Sequence, residues 1–358
     1  MNRRHFLGTL PAAAALAGTP KLRWWQQQAR GIVIDGLGEV HLDYPPALID
    51  EMRASGMRGC VVTVGNPALQ GATAFDDMKA EIEGYDRHVA ANPDRFLKAQ
   101  SAEDLDRARQ AGKIGLVYYT QNATPLGDDS GRLEVLRSLG VRLVQLTYNT
   151  RNLLGDGCLE RTDSRLSNFG VEVVERMNAL RMLVDVSHSG EATTRDAIEV
   201  STRPVAITHS ACKAVFAHPR NKTDETIRRL AARGGVIGIF QINPYLGAKE
   251  RNTLDDYVRH IEHAVRIAGA DHVGIGSDRE HRTIPDTAEE KQKLIDELSR
   301  LRPVTASTFR WPFFISELNG PRRMEVIRQA LETRRMPAAT IDKVMGENWY
   351  RLFRETIG

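Results

Sequence analysis

Leu183-Val184-Asp185-Val186-Ser187-His188, a helix-like stretch over Ala192–Val200, and then Val205-Ala206-Ile207-Thr208-His209 decide how this chain folds. Two β-branched runs joined by a helix read as a strand–helix–strand unit, and a crossover of that kind makes the strands parallel. Working outward, six more runs share this character: Gly31–Asp35, Cys60–Val64, Ile114–Thr120, Leu143–Tyr148, Val236–Phe240 and His272–Ser277. Most are apolar throughout, as suits strands covered on both faces. Helical periodicity lies between them, over Pro46–Ser55, Ala74–Asn92 with Ala102–Ala111 in the second crossover, Gly131–Leu139, Gly170–Leu180, Thr223–Arg233 and Leu254–Ala268. Thr223 is placed to cap its helix, with Asp224 and Glu225 in the first turn. Strand alternating with helix eight times predicts a (β/α)₈ TIM barrel. A doubly wound sheet is the rival, but no G-x-G-x-x-G follows the first run. Asn149–Ser167 and Arg279–Ile315 read as loops, at the end of the barrel where such folds carry their chemistry.

The 358 residues suit one large barrel or two ordinary domains, and the eightfold alternation favours the barrel. Lys and Arg total 49 against 46 Asp and Glu, a balance that excludes a nucleic-acid partner driven by charge. Cys60, Cys158 and Cys212 are odd in number and lack C-x-x-C spacing, so neither a zinc ribbon nor a disulfide framework is expected. At the N-terminus Arg3 and Arg4 precede Phe6-Leu7 and an alanine-rich stretch through Ala17, with Ala15-Leu16-Ala17 as a small-residue cleavage site. The pattern resembles a twin-arginine export signal; the alternative is an uncleaved basic start. The organisation expected is an export signal over 1–17 and a single barrel with C-terminal helices over 18–358. The mature protein is then periplasmic or extracellular, with no stable membrane span.

Both histidines close a strand, at matching positions on strands expected to be neighbours. Adjacent strands lie about 4.8 Å apart, so imidazoles from their ends can meet one metal ion. A lone strand-end histidine is more often structural; two in register point to a metal. The last run ends Gly274-Ile275-Gly276-Ser277-Asp278 and sets a carboxylate at the same mouth. Asp278 there can bind metal, accept a proton or hold a substrate ammonium; the alternative is a helix cap. Arg220, in the loop after the sixth run, can clamp a substrate carboxylate or pair with a surface acid.

Several stretches together resemble the membrane dipeptidase (renal dipeptidase-like) family, peptidase family M19: Leu166-Ser167-Asn168-Phe169-Gly170, Met182 through His188, Arg203 through Ser210, Arg220-Asn221, Gly274 through Asp278 and Gly346-Glu347-Asn348-Trp349. The resemblance implies a barrel of the metal-dependent hydrolase type that cleaves dipeptides with a two-zinc site. It puts His188 and His209 on the ligands of one zinc, Arg220 on a substrate-carboxylate residue and Asp278 on the active-site aspartate.

The departures are as specific. The family's first strand ends Asp-Gly-His-Asn-Asp, where this chain reads Asp35-Gly36-Leu37-Gly38-Glu39. Leu37 has no lone pair to offer a metal, while Glu39 keeps a carboxylate. Gln121 stands where the family has a bridging glutamate, and a neutral amide cannot offset the repulsion of two cations. Tyr148 stands in place of an active-site histidine. His41 and Asp43 offer a weak substitute pair, four residues past the matching place. The expectation is therefore at most one zinc, on His188 and His209, with Asp278, Glu39, Gln121 or water completing it. In that scheme the metal activates water, Asp278 acts as proton acceptor or amine anchor, Arg220 holds the substrate carboxylate, and Tyr148 binds substrate by donating to the oxyanion. A dipeptide or other small molecule is the expected partner, and a homodimer is one assembly to test. The competing reading is a non-catalytic or differently specialised barrel that binds a small peptide-like ligand.

Overall fold

Val- and Ile-rich runs make strands because branched side chains pack well on a pleated surface. In the computed structural model, which describes residues 31–301 and 310–358, they do so around a closed ring. The strands are β1 (Val33–Asp35), β2 (Met57–Thr63), β3 (Phe96–Lys98), β4 (Ile114–Thr120), β5 (Val141–Gln145), β6 (Leu183–Asp185), β7 (Ala206–Ser210), β8 (Val236–Ile239) and β9 (Val273–Ile275). All pairings between them are parallel. β2 pairs with both β1 and β4, and β9 returns to β1, so eight strands close the barrel in the order β1-β2-β4-β5-β6-β7-β8-β9. The fold is the expected (β/α)₈ TIM barrel.

β3 was not expected. It shares one edge of β4 with β5: β3 takes Ile114–Leu116 and β5 takes Tyr118–Thr120. Three residues between two helices leave no run long enough to read as a strand. The stretch Arg279–Ile315, read as a loop, contains a helix over Ala288–Leu301 with Glu289 and Glu290 in its first turn. The expected export segment, residues 1–17, lies outside the described residues.

Alternation along each strand divides the core. Cys60, Val62, Leu116, Tyr118, Val144, Val184, Ile207 and Ile237 pack in the large apolar cluster. Their strand neighbours Val61, Val117, Tyr119, Leu143, Leu183, Ala206 and Val236 pack in a second cluster, with Trp349. Trp349 is fully buried and donates from Nε1 to Ile275 O at 2.8 Å. Gly36 and Gly274 make room for it, since a Cβ at either would overlap the indole. Thr223 caps the helix Asp224–Ala232 as expected, its hydroxyl accepting from Thr226 N.

Candidate metal and substrate site

β6 and β7 are neighbours in the ring, and the segments at their ends bring His188 and His209 together. The two Nε2 atoms stand 2.8 Å apart, with ring centroids 4.9 Å apart. Two nitrogens at roughly 2.0–2.1 Å from one tetrahedral zinc stand about 3.3 Å apart, so an opening of about half an ångström admits the ion. Burial, and then the Arg220 charge, hold both imidazoles well below their usual range. Both are therefore neutral at pH 7, the form that has a lone pair for a metal. His188 Nδ1 lies 2.7 Å from Asn149 Oδ1, and His209 Nδ1 lies 2.8 Å from Thr208 Oγ1.

Beneath the pair sits Asp185, fully buried. Ser187 Oγ (2.6 Å), Thr208 N (2.9 Å), Thr208 Oγ1 (2.9 Å) and Tyr119 Oη (2.5 Å) donate to its carboxylate. Burial pushes this carboxyl up, and the hydrogen bonds from Ser187, Tyr119 and Thr208 pull it back toward the charged form. None of these polar contacts was foreseen; a strand sequence shows which way Thr208 alternates but not which side chain it meets.

Arg220 is buried at 2 % exposure and donates to Ser187 O at 2.6 Å and His209 O at 3.3 Å, with its guanidinium 5.6 Å above the Phe240 ring. The arginine expected to clamp a substrate carboxylate or pair with a surface acid thus also braces the two histidine-bearing strand ends. Lys222 is buried nearby and donates to Ser189 O and Thr194 Oγ1; burial pushes it down to about 8.

Tyr148 stacks on His188, and burial followed by the Asp278 charge pushes its phenol far up, so it stays protonated as a donor. Asp278 has a positive φ of 55° and donates from its backbone N to Leu37 O at 2.8 Å. Its carboxyl is pushed up to about 7, chiefly by burial; Arg220 and Arg279 pull it down, while Asp35 and Asp185 push it further up.

The other two expected ligands do not join the histidines. Thr63 Oγ1 donates to Glu39 Oε1 at 2.8 Å and accepts from Gln121 Nε2 at 2.9 Å. Glu39 follows β1, which lies diametrically across the ring from β6. The four expected metal residues therefore form two pairs rather than one shell. Among the described residues no group of three or more His, Cys, Asp or Glu is spaced to hold a metal ion. Leu37 is fully buried in the apolar cluster that contains Trp349. His41, weighed as a substitute, is half-exposed, 3.9 Å from Glu280. The histidine pair fits one metal completed by water or by movement of Asp278, Glu39 or Gln121. A cavity of about 250 Å³ lined by Cys158, Glu191, Lys213, His218 and Lys222 opens beside this region, and Cys158 N donates to His188 O at 2.7 Å.

Residues 39–306 match the family model for membrane dipeptidase, peptidase family M19. Dipeptidase verJ of Clonostachys rogersoniana is 33% identical over 209 residues, covering 57% of this chain and 54% of that protein. An uncharacterized dipeptidase of Schizosaccharomyces pombe is 35% identical over 213 residues, covering 58% of this chain and 51% of that protein. The matches thus span about half the length of these two relatives. Among solved structures, an amidohydrolase from Pseudomonas aeruginosa gives a TM-score of 0.81 at 32% identity, covering 93% of this chain and 98% of that one.

Proposed function

Because the chain belongs to the membrane dipeptidase family, peptidase family M19, we propose that it is a zinc-dependent hydrolase of dipeptides or related small amides with at most one firmly held metal ion. The observation that carries this reading is the 2.8 Å approach of His188 Nε2 to His209 Nε2, both rings neutral. Zinc held there supplies, when bound, an acidified water and a polarised carbonyl. The chain's own groups do the rest. Asp278, with its carboxyl near 7, takes up a proton or holds the substrate ammonium. Tyr148 keeps its phenolic proton and donates it toward the developing oxyanion. Arg220 holds the two strand ends in register, and its further N–H groups are the ones left for a substrate carboxylate. For Glu39 or Gln121 to reach the histidines, the hydrogen bonds through Thr63 must first break.

Elemental analysis of zinc-reconstituted protein, together with hydrolysis of a dipeptide panel, tests this reading. We expect no more than one zinc per chain and loss of both zinc and activity in His188→Ala/His209→Ala. Undiminished hydrolysis by that double variant, or by protein stripped with a chelator, would overturn it.

We also propose export through the paired Arg3-Arg4 ahead of the apolar stretch to Ala17. Among the described residues no helix is long and apolar enough to cross a membrane. Lysine at both positions is expected to stop twin-arginine transport, and normal accumulation of that variant outside the cytoplasm would refute the proposal.

A further inference from the structure

A neutral imidazole carries one N–H and one lone pair, and the partner of one nitrogen decides the state of the other. On His188, Nδ1 lies 2.7 Å from Asn149 Oδ1. An amide oxygen only accepts, so Nδ1 donates and Nε2 keeps its lone pair. On His209, Nδ1 lies 2.8 Å from Thr208 Oγ1, and that hydroxyl lies 2.9 Å from Asp185 Oδ2. Asp185 already accepts from the Ser187 and Tyr119 hydroxyls, so it stands as the acceptor for the single proton of Thr208 as well. Thr208 Oγ1 then accepts from His209 Nδ1, and the His209 Nε2 lone pair faces that of His188 across 2.8 Å. Two facing lone pairs repel unless a cation stands between them.

We infer that Asn149, together with Thr208 held by Asp185, are positioning residues for the histidine pair: they fix the ring protons on Nδ1 of His188 and His209, so that both Nε2 atoms point as acceptors at one cation. The inference rests on the reading of the pair as a metal site and specifies which other residues prepare it.

The local structure keeps these partners in place. Asn149 O accepts from Leu159 N at 2.9 Å, and the Cys158 thiol lies 3.8 Å from Asn149 Oδ1 as a second donor to the same oxygen. Gly157 bridges to Ser189, so the segment carrying Asn149 is tied to the one carrying His188. It approaches the carbonyls of Tyr148 and Asn149 so closely that a Cβ would overlap them. On the other side, Ser187 Oγ accepts from His209 N at 3.1 Å while donating to Asp185 at 2.6 Å. The competing arrangement puts the His209 proton on Nε2, donating to His188. That requires Thr208 to turn its proton away from Asp185 Oδ2, which then keeps the Tyr119 hydroxyl but loses one of its two donors at a fully buried carboxylate.

The test has two independent readouts. In metal-free full-length protein with nitrogen-labelled histidine, the nitrogen shifts report the tautomer of each ring; both His188 and His209 are expected to be protonated at Nδ1. Asn149→Leu should release His188 from that tautomer and Thr208→Val should release His209. Asn149→Asp and Thr208→Ser, which restore an acceptor oxygen, should keep it. Zinc titration should then show about 10–100-fold weaker binding in Asn149→Leu and Thr208→Val, the usual effect of losing a ligand's supporting hydrogen bond, with near-normal binding in the conservative variants. An Nε2–H tautomer on either histidine of the unmodified protein overturns the inference. So does zinc affinity in both disruptive variants within twofold of the unmodified value. Correct tautomers in a protein that binds no zinc would instead sink the metal reading while leaving the positioning intact.

Discussion

Tyr148 lies nearly flat against His188, ring centroids 4.2 Å apart and planes 20° from parallel. The contact covers one face of the imidazole, and the phenol feels the charges of Asp278 and Arg220. Tyr148→Phe keeps the stacking and removes only the hydroxyl. If the phenol donates to the oxyanion, kcat should fall by about 10²-fold, toward the lower end of what an oxyanion donor contributes. Zinc affinity should be unchanged. Tyr148→Ala should in addition weaken zinc binding, because His188 loses its stacking partner. Steady-state kinetics and zinc titration of the two variants separate the roles. Full kcat in Tyr148→Phe would reduce Tyr148 to a packing residue.

Asp278 has a pH signature with a defined sign. Its carboxyl is pushed up to about 7 in the folded chain, against about 4 when unfolded. The native state therefore holds a proton that the unfolded state has released. This contribution to stability is fully present below about pH 4 and is lost as pH rises through about 7. As a proton acceptor Asp278 must be ionised, so kcat/KM should climb with pH through a limb at about 7, or lower when a bound cation draws the carboxyl down. Asp278→Asn should abolish that limb and flatten the dependence of melting temperature on pH between about 4 and 7. An unchanged acid limb in the variant would move the proton acceptor elsewhere.

Legibility in the sequence followed the range of the interactions. The histidine pair could be read because strand-end positions are local and neighbouring strands bring equal positions together; β6 and β7 do so. Asn149 could not be assigned to His188, because their contact depends on how the loop after β5 returns past Gly157. For Arg220 the sequence offers a substrate carboxylate or a surface acid as partner; its partners in the structure are backbone carbonyls, which every residue has and no sequence marks. Glu39 and Gln121 are candidate metal ligands by position, but no sequence pattern marks Thr63, which accepts from Gln121 Nε2 and donates to Glu39 Oε1. β3 was invisible for a different reason: three residues carry too little periodicity to stand out.

Trp349 and Gly274 should behave as a coupled pair at the barrel core. Gly274→Ala forces a methyl group into the indole, which is expected to cost about 1–3 kcal/mol as overpacking. Trp349→Ala should cost about 3–5 kcal/mol through the cavity it leaves. In the double variant the clash is gone, so its cost should be distinctly less than the sum of the two single costs. Urea denaturation of the four proteins gives the cycle. Strict additivity would mean that Gly274 does not make room for the indole.

Metal stoichiometry is where this chain departs most from the pattern of its family. Leu37 offers no ligand and is packed among apolar side chains, and Gln121 is a neutral amide already donating to Thr63. The unmodified protein should therefore hold no more than one zinc. Leu37→His, Glu39→Asp and Gln121→Glu together should raise the count toward two. The structure adds a cost to that change. Thr63 has one hydroxyl proton, now given to Glu39; Gln121→Glu replaces the donor on its other side with a second carboxylate, and the two anions compete for it. Leu37→His buries a polar ring where a fully buried leucine sits. Without metal the triple variant should lose about 1–3 kcal/mol or more of stability. Zinc should restore it, because a ligand that binds only the native state stabilises by mass action. Thermal melts with and without zinc, alongside elemental analysis, read both effects. Two tightly held zinc ions in the unmodified protein would refute the argument, and would mean that His41, now 3.9 Å from Glu280, with Asp43, or ligands elsewhere in the chain, complete the site.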